Sequence, residues 1–167
     1  MTKSLTSSLD FYFNLIKVGI YFLLPFMIIQ SYSVNSHEIR PAIADILIKK
    51  DEILIELELN LEIFLADIDA SVSSNTDLAV NASQYDRVRA LDSNILAKKF
   101  KQNFDKFIGM VTIKTNTRPL ILKLISINIG DAPDLSLPRY SHLKLSARVE
   151  GGDNEVRLGW DQKLGAL

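Results

Sequence analysis

Ile53-Leu54-Ile55-Glu56-Leu57-Glu58-Leu59-Asn60-Leu61-Glu62-Ile63 is the stretch whose reading decides the fold. Ile53, Ile55, Leu57, Leu59, Leu61 and Ile63 take every second position, and Leu54, Glu56, Glu58, Asn60 and Glu62 fill the places between. Successive side chains of a strand point to opposite faces. Period two therefore means a strand with one face in a core and one wet, acidic face. Just upstream, residues 42–50 are rich in branched side chains and read as a second strand. The polar Lys49-Lys50-Asp51-Glu52 turns between them, so the two runs predict an antiparallel hairpin.

Downstream the pattern changes. Residues 63–69 read as the start of a short helix and residues 71–84 as a polar loop. Tyr85, Val88 and Leu91 recur at helical spacing. So do Leu96, Phe100, Phe104 and Phe107, with Asp92-Ser93-Asn94 offering an N-cap and Gly109 a stop. That spacing predicts one amphipathic helix whose aromatic face packs on the sheet. Strands then return at residues 110–116, 120–129, 143–149 and 156–160. Thr117-Arg118-Pro119 turns between the first two, and Gly151-Gly152-Asp153-Asn154 reads as a hairpin turn before the last. About six strands with a helical insertion near residues 61–108 predict a mainly β, sandwich-like antiparallel domain. A two-layer α+β sheet is the alternative.

Working outward to the N-terminus, residues 18–29 are uncharged and almost wholly apolar, with Lys17 just before them and Lys3 further back. This is the positive n-region and apolar h-region of a secretory signal. At helical rise such a run falls short of the ~30 Å hydrocarbon core. Val34 and Ser36 stand third and first before a cut ahead of His37, the positions where a signal peptidase needs small residues. Residues 1–36 thus read as a signal peptide, or alternatively a membrane anchor, and 37–167 as an exported domain. The expected location is periplasmic or membrane-associated, in a bacterium. Losing Lys3, Lys17 and Asp10 would move the formal charge from −1 to −2. Nothing here favours a nucleic-acid partner, which needs a basic surface. The chain has no cysteine, which excludes disulfides, zinc ribbons and thiol nucleophiles.

The chain carries no H-E-x-x-H, P-loop, G-x-S-x-G or dinucleotide fingerprint, so a non-enzymatic role is expected. Its histidines are His37 and His142. A cut before His37 would leave an α-amine beside the imidazole, a chelate that suits nickel or copper, with His142 as a further ligand and Glu38 an adjacent carboxylate. Against this, a chain-end histidine is usually solvated, and His142 shares its strand parity with Lys144 and Arg148, a wet face. Arg40, Pro41 and Trp160 are the remaining candidate binding residues. Each has an ordinary structural use: Pro41 opens a strand, Arg40 pairs with a carboxylate of the acidic face, and Trp160 anchors the core. Residues 160–167 turn apolar and read as the onset of a strand or a membrane segment.

Three segments carry a resemblance. Residues 36–46 (SHEIRPAIADI), Tyr85-Asp86-Arg87-Val88-Arg89-Ala90-Leu91, and Val156-Arg157-Leu158-Gly159-Trp160 with Leu164-Gly165-Ala166-Leu167 resemble the extracytoplasmic part of bacterial membrane proteins of the HupE/UreJ type. The resemblance implies an exported domain ahead of a multi-helix membrane domain, in a family whose name is tied to nickel uptake for hydrogenase and urease. The chain stops where those membrane helices are expected, so transport itself does not carry over. The implied role is a non-enzymatic domain accessory to uptake of nickel or another metal, with the membrane or a membrane protein as partner. The alternative is a stand-alone periplasmic interaction module that uses a sheet edge for strand addition.

Overall fold

The hairpin read from alternation is the centre of the fold. In the computed structural model, β1 (Ile43–Ile48) and β2 (Glu52–Leu59) pair antiparallel, with Ile46 opposite Ile55 and Ile48 opposite Ile53. Lys49 N–H donates to Glu52 O at 2.8 Å and closes the turn. The structure describes residues 38–149 and 155–167 apart from 117, 133 and 136. The signal-peptide reading, His37 and the 151–154 turn lie outside the described residues. Those that are described belong to one unit, Ser36–Leu167.

Seven strands form two antiparallel sheets among the described residues. Besides β1 and β2 they are β3 (Val111–Thr115), β4 (Pro119–Leu120), β5 (Lys123–Ile129), β6 (Ser141–Arg148) and β7 (Val156–Trp160). The larger sheet runs β1-β2-β6-β5 and the smaller β4-β3-β7. Strand outweighs helix only slightly, so the domain is β-rich with a helical insertion and fits the α+β description equally well. On the large sheet, Ile53, Ile55, Leu57 and Leu59 of β2 and Leu143, Leu145 and Ala147 of β6 are buried on one face. Glu56, Glu58, His142 and Lys144 take the other.

Four helices make up the insertion: α1 (Leu61–Leu65), α2 (Ala82–Arg89), α3 (Ser93–Gln102) and α4 (Phe104–Met110). The alternation was expected to run as strand through Ile63, but it ends at Asn60. The Asn60 side chain accepts from Glu62 N–H at 2.9 Å and caps α1, so Leu61 and Ile63 are buried on a helix. The single aromatic helix is two. Asn103 Nδ2 donates to the Lys99 carbonyl at 2.9 Å and competes with the helical ladder at that point. Gly109 lies inside α4 and does not end the helix. The aromatic stripe does pack as core: Phe64, Phe100 and Phe107 form edge-to-face pairs with centroids 5.1–6.1 Å apart.

Two strand readings also change. The run 120–129 is not one strand. Leu120 closes the small sheet against Ile113, Leu122 is buried, and Lys123 onward joins β6 in the large sheet. The last two strands are not a hairpin either, because β6 pairs with β2 and β5 while β7 pairs with β3. The apolar C-terminal run forms a one-turn 3-10 helix, Gln162–Leu164, capped by Asp161 and burying Leu164.

Candidate functional site

The residues singled out from sequence do not converge on one centre. Glu38 is exposed and bridges Asn75. Arg40 does not pair with the acidic strand face as expected. Its guanidinium donates to the Tyr140 hydroxyl at 2.6 Å and lies 5.8 Å from that ring's centroid. Pro41 is exposed, one residue before Ala42 donates to Ala166 O at 2.7 Å. Trp160 is half-buried, and its Nε1 donates to Gly165 O at 2.8 Å, so it ties down the C-terminal turn. His142 stands on β6 between Glu58 of β2 and Asn128 of β5, with Nδ1 3.8 Å from a Glu58 carboxylate oxygen. Among the described residues, no three histidine or carboxylate side chains gather as a ligand set.

His142 belongs to a polar depression of about 240 Å³ on the outer face of the large sheet. Asp45, Glu56, Glu58, Ser126, Asn128 and Lys144 line it too, and Lys144 pairs with Glu56 at 2.7 Å. These pairs are solvent-exposed, and such bridges contribute about 0–1 kcal/mol each. They fix which cross-strand partners meet more than they hold the sheet together.

The edge of that sheet is less ordinary. Ile43, Ile46, Leu47 and Ile48 of β1 are all exposed. Ile46 and Ile48 point to the core face, yet none of the described helices covers them. Lys49 N–H faces β2, and main-chain groups alternate sides along an antiparallel strand. Ile43, Asp45 and Leu47 therefore bond toward β2, while Ala44, Ile46 and Ile48 aim N–H and C=O at the open edge. Ala42 follows the same alternation, and its N–H is taken by Ala166. The opposite edge, β5, has a register irregularity between Leu124 and Ser126, the kind of bulge that blunts an edge. The β1–β2 register has no such irregularity.

A second concavity, about 330 Å³, lies between the end of α1, α4 and the C-terminal turn. Phe64, Ile68, Met110 and Leu164 supply apolar walls, and Asp67, Asp69, Asp161, Lys106 and Lys163 a charged rim. Lys106 pairs with Asp67 at 2.8 Å. Asp67 has φ +56°, an uncommon conformation for a residue with a side chain, though Asp tolerates it better than most. Hydrogen bonds from Ser71 hold the Asp69 carboxyl below the usual carboxylate range.

Alternation placed Glu62 on a wet face, and the structure overturns that. It is 1% exposed. Arg139 Nε donates to Glu62 Oε1 at 2.7 Å, and the same guanidinium donates to the Leu91 carbonyl at 3.1 Å and the Arg89 carbonyl at 2.7 Å. Arg89 donates to Leu137 O at 2.6 Å, and its Nε is 3.8 Å from Glu62 Oε2, which is buried without a hydrogen bond. Burial pushes the Glu62 carboxyl up against the opposing pull of the Arg139 and Arg89 guanidiniums. Beside it, Asn60 Nδ2 donates to the Tyr85 hydroxyl at 2.8 Å, and burial raises that phenol. This cluster is a clamp joining α1, the α2–α3 turn and the loop before β6. The one sequence signal for it was Asn60, a helix-capping residue inside an apparent strand. Compared with family models, curated proteins and solved structures, the chain has no significant match.

Proposed function

We propose that the chain is a non-enzymatic, extracytoplasmic interaction domain, accessory to a HupE/UreJ-like membrane system, that binds an extended protein segment along the open edge of β1. The observation that carries this reading is the β1 edge itself. Along it the main-chain N–H and C=O groups of Ala44, Ile46 and Ile48 turn away from β2, no other described strand pairs with them, and exposed apolar side chains flank them on both faces. An added strand would satisfy the first and cover the second. The resemblance of residues 36–46 and 85–91 supplies the membrane-system context. A photo-crosslinking amino acid at Leu47, introduced in intact bacteria, is expected to trap a protein. The same probe at Lys144 on the outer face is expected to trap none. Equal yields at both positions, or no adduct at Leu47, would refute the reading.

Capture of nickel or copper is a second reading, favoured by the placement of His142 beside Glu58 on an exposed face. The chelate of the His37 α-amine and imidazole, with Glu38, would be a second place for the same ions, since Glu38 bridges Asn75 and does not line the His142 depression. Calorimetric titration of the exported protein with nickel and copper tests both. Binding lost in His142→Ala supports the strand site, binding lost in His37→Ala supports the chain-end chelate, and a flat titration eliminates both.

A further inference from the structure

We infer that the strand bound by β1 is β1 of a second copy of this chain, paired antiparallel about a two-fold axis that passes between the two Leu47 residues. The inference rests on the reading of β1 as the binding edge and adds the identity of the occupant. A continuous sheet across such an axis pairs residues of the same face, and the open-edge amides of one copy must meet those of the other. Any residue of β1 taken as the centre satisfies the first condition. Centring on Ile43 or Ala44 runs the pairing into Pro41 or into Ala42, whose N–H Ala166 already takes, and centring on Ile48 sets Leu47 opposite Lys49 and Asp45 opposite Asp51. Three centres are left. Centring on Asp45 sets two carboxylates directly opposite, which is repulsive. Centring on Ile46 sets Asp45 opposite Leu47 and Lys49 opposite Ile43, so neither charge meets a partner. Centring on Leu47 sets Asp45 opposite Lys49, Ile46 opposite Ile48 and Leu47 opposite itself. Every directly opposed pair from Asp45 to Lys49 is then either apolar with apolar or acid with base.

The backbone agrees with that centre. Ile46 and Ile48 both aim their main-chain groups at the open edge, so the two Ile46–Ile48 pairs exchange N–H···O=C bonds across the axis. Leu47 faces β2 and sits in the non-hydrogen-bonded position. The side chains that would be covered are the ones left bare: Ile46 is 40% exposed, Leu47 56% and Ile48 59%. Asp45 and Lys49 are exposed as well. A strand that is self-complementary in charge, in apolar face and in hydrogen-bond phase at one register fits a copy of itself.

The absence of cysteine makes the test direct. Directly opposed residues at a non-hydrogen-bonded position lie with Cα atoms about 4.5 Å apart, within the range a disulfide spans. Mild oxidation of full-length Leu47→Cys is expected to convert most of the chain to a covalent dimer. Asp45→Cys and the exposed, distant Val80→Cys should remain at the collisional background. The double variant Asp45→Cys/Lys49→Cys should recover the dimer. Sedimentation of the wild type should show concentration-dependent dimerisation that Leu47→Lys, which opposes two ammonium groups, abolishes. Leu47→Cys dimer no more abundant than Val80→Cys dimer, or a wild type monomeric at every concentration, overturns the inference. If the Leu47 photo-probe still traps a different protein in that case, the binding edge stands and only its occupant is wrong. If it traps nothing, both readings fall.

Discussion

Arg139 does for Glu62 what no other described side chain can, since it supplies both the opposite charge and a short hydrogen bond inside a dry site. Removing one partner of a buried ion pair leaves an uncompensated charge, which costs roughly 3–5 kcal/mol. Arg139→Ala is therefore expected to lower the urea midpoint by that equivalent, and it frees the carbonyls of Arg89 and Leu91 at the same time. The pH dependence has a definite sign. Burial raises the folded carboxyl above its ordinary value of 4.5. Between that value and the raised one, the folded chain holds a proton that the unfolded chain has released. Stability therefore falls as pH climbs through the window and levels off above it. Denaturation at a series of pH values should show the decline in the wild type and a flatter profile in Glu62→Gln. An unchanged slope in that variant would place the titrating group elsewhere.

At the scale of elements, the caps and breaks decide where each segment stops. Asn60 has two jobs, capping α1 and bonding the Tyr85 hydroxyl. Asn60→Ala should cost about 1–2 kcal/mol, read as a lowered melting temperature. Phe100 is fully buried between Phe64, Phe104 and Phe107. Phe100→Ala should cost about 3–5 kcal/mol, read by chemical denaturation. The hairpin, the wet outer face of β2 and the aromatic packing were legible because each is a matter of period and polarity. The break at Asn103 was not. Its side chain bonds a carbonyl only four residues back, and the stripe Phe100-Phe104-Phe107 reads the same whether or not the helix pauses there. Glu62 was misread for a related reason, since a residue just past a capping Asn obeys helical geometry while its neighbours in sequence still show period two.

Over the whole molecule, partner choice was the hidden quantity. Nothing in residues 120–129 marks the place where the chain leaves one sheet for the other, because Leu120, Leu122 and Leu124 are all apolar and each contributes to one shared core. Likewise, a glycine-rich turn before residue 156 reads as a hairpin unless the pairing of β7 with β3 is known. Of the candidate residues, His142 was placed correctly on a wet face, whereas the exposure of Ile46 and Ile48 depended on which helices cover the sheet. Amide hydrogen exchange gives a global check. The central strands β2 and β6 should exchange slowest. Ala44, Ile46 and Ile48 should exchange fastest within the large sheet in dilute protein and gain protection as concentration rises. Protection that is strong and independent of concentration would mean that the edge is already covered.

The pairing of β2 with β6 has a consequence in time. Glu52 lies opposite Arg148. Nearly the whole remainder of the domain must be delivered before that partner exists. In synthesis from the N-terminus, at about 5–20 residues per second, the β1–β2 hairpin waits roughly 5–20 s with both of its flanks bare. Its apolar strands are then the most adhesive part of a half-made chain. Shielding the hairpin during that delay is expected to raise the yield of folded domain.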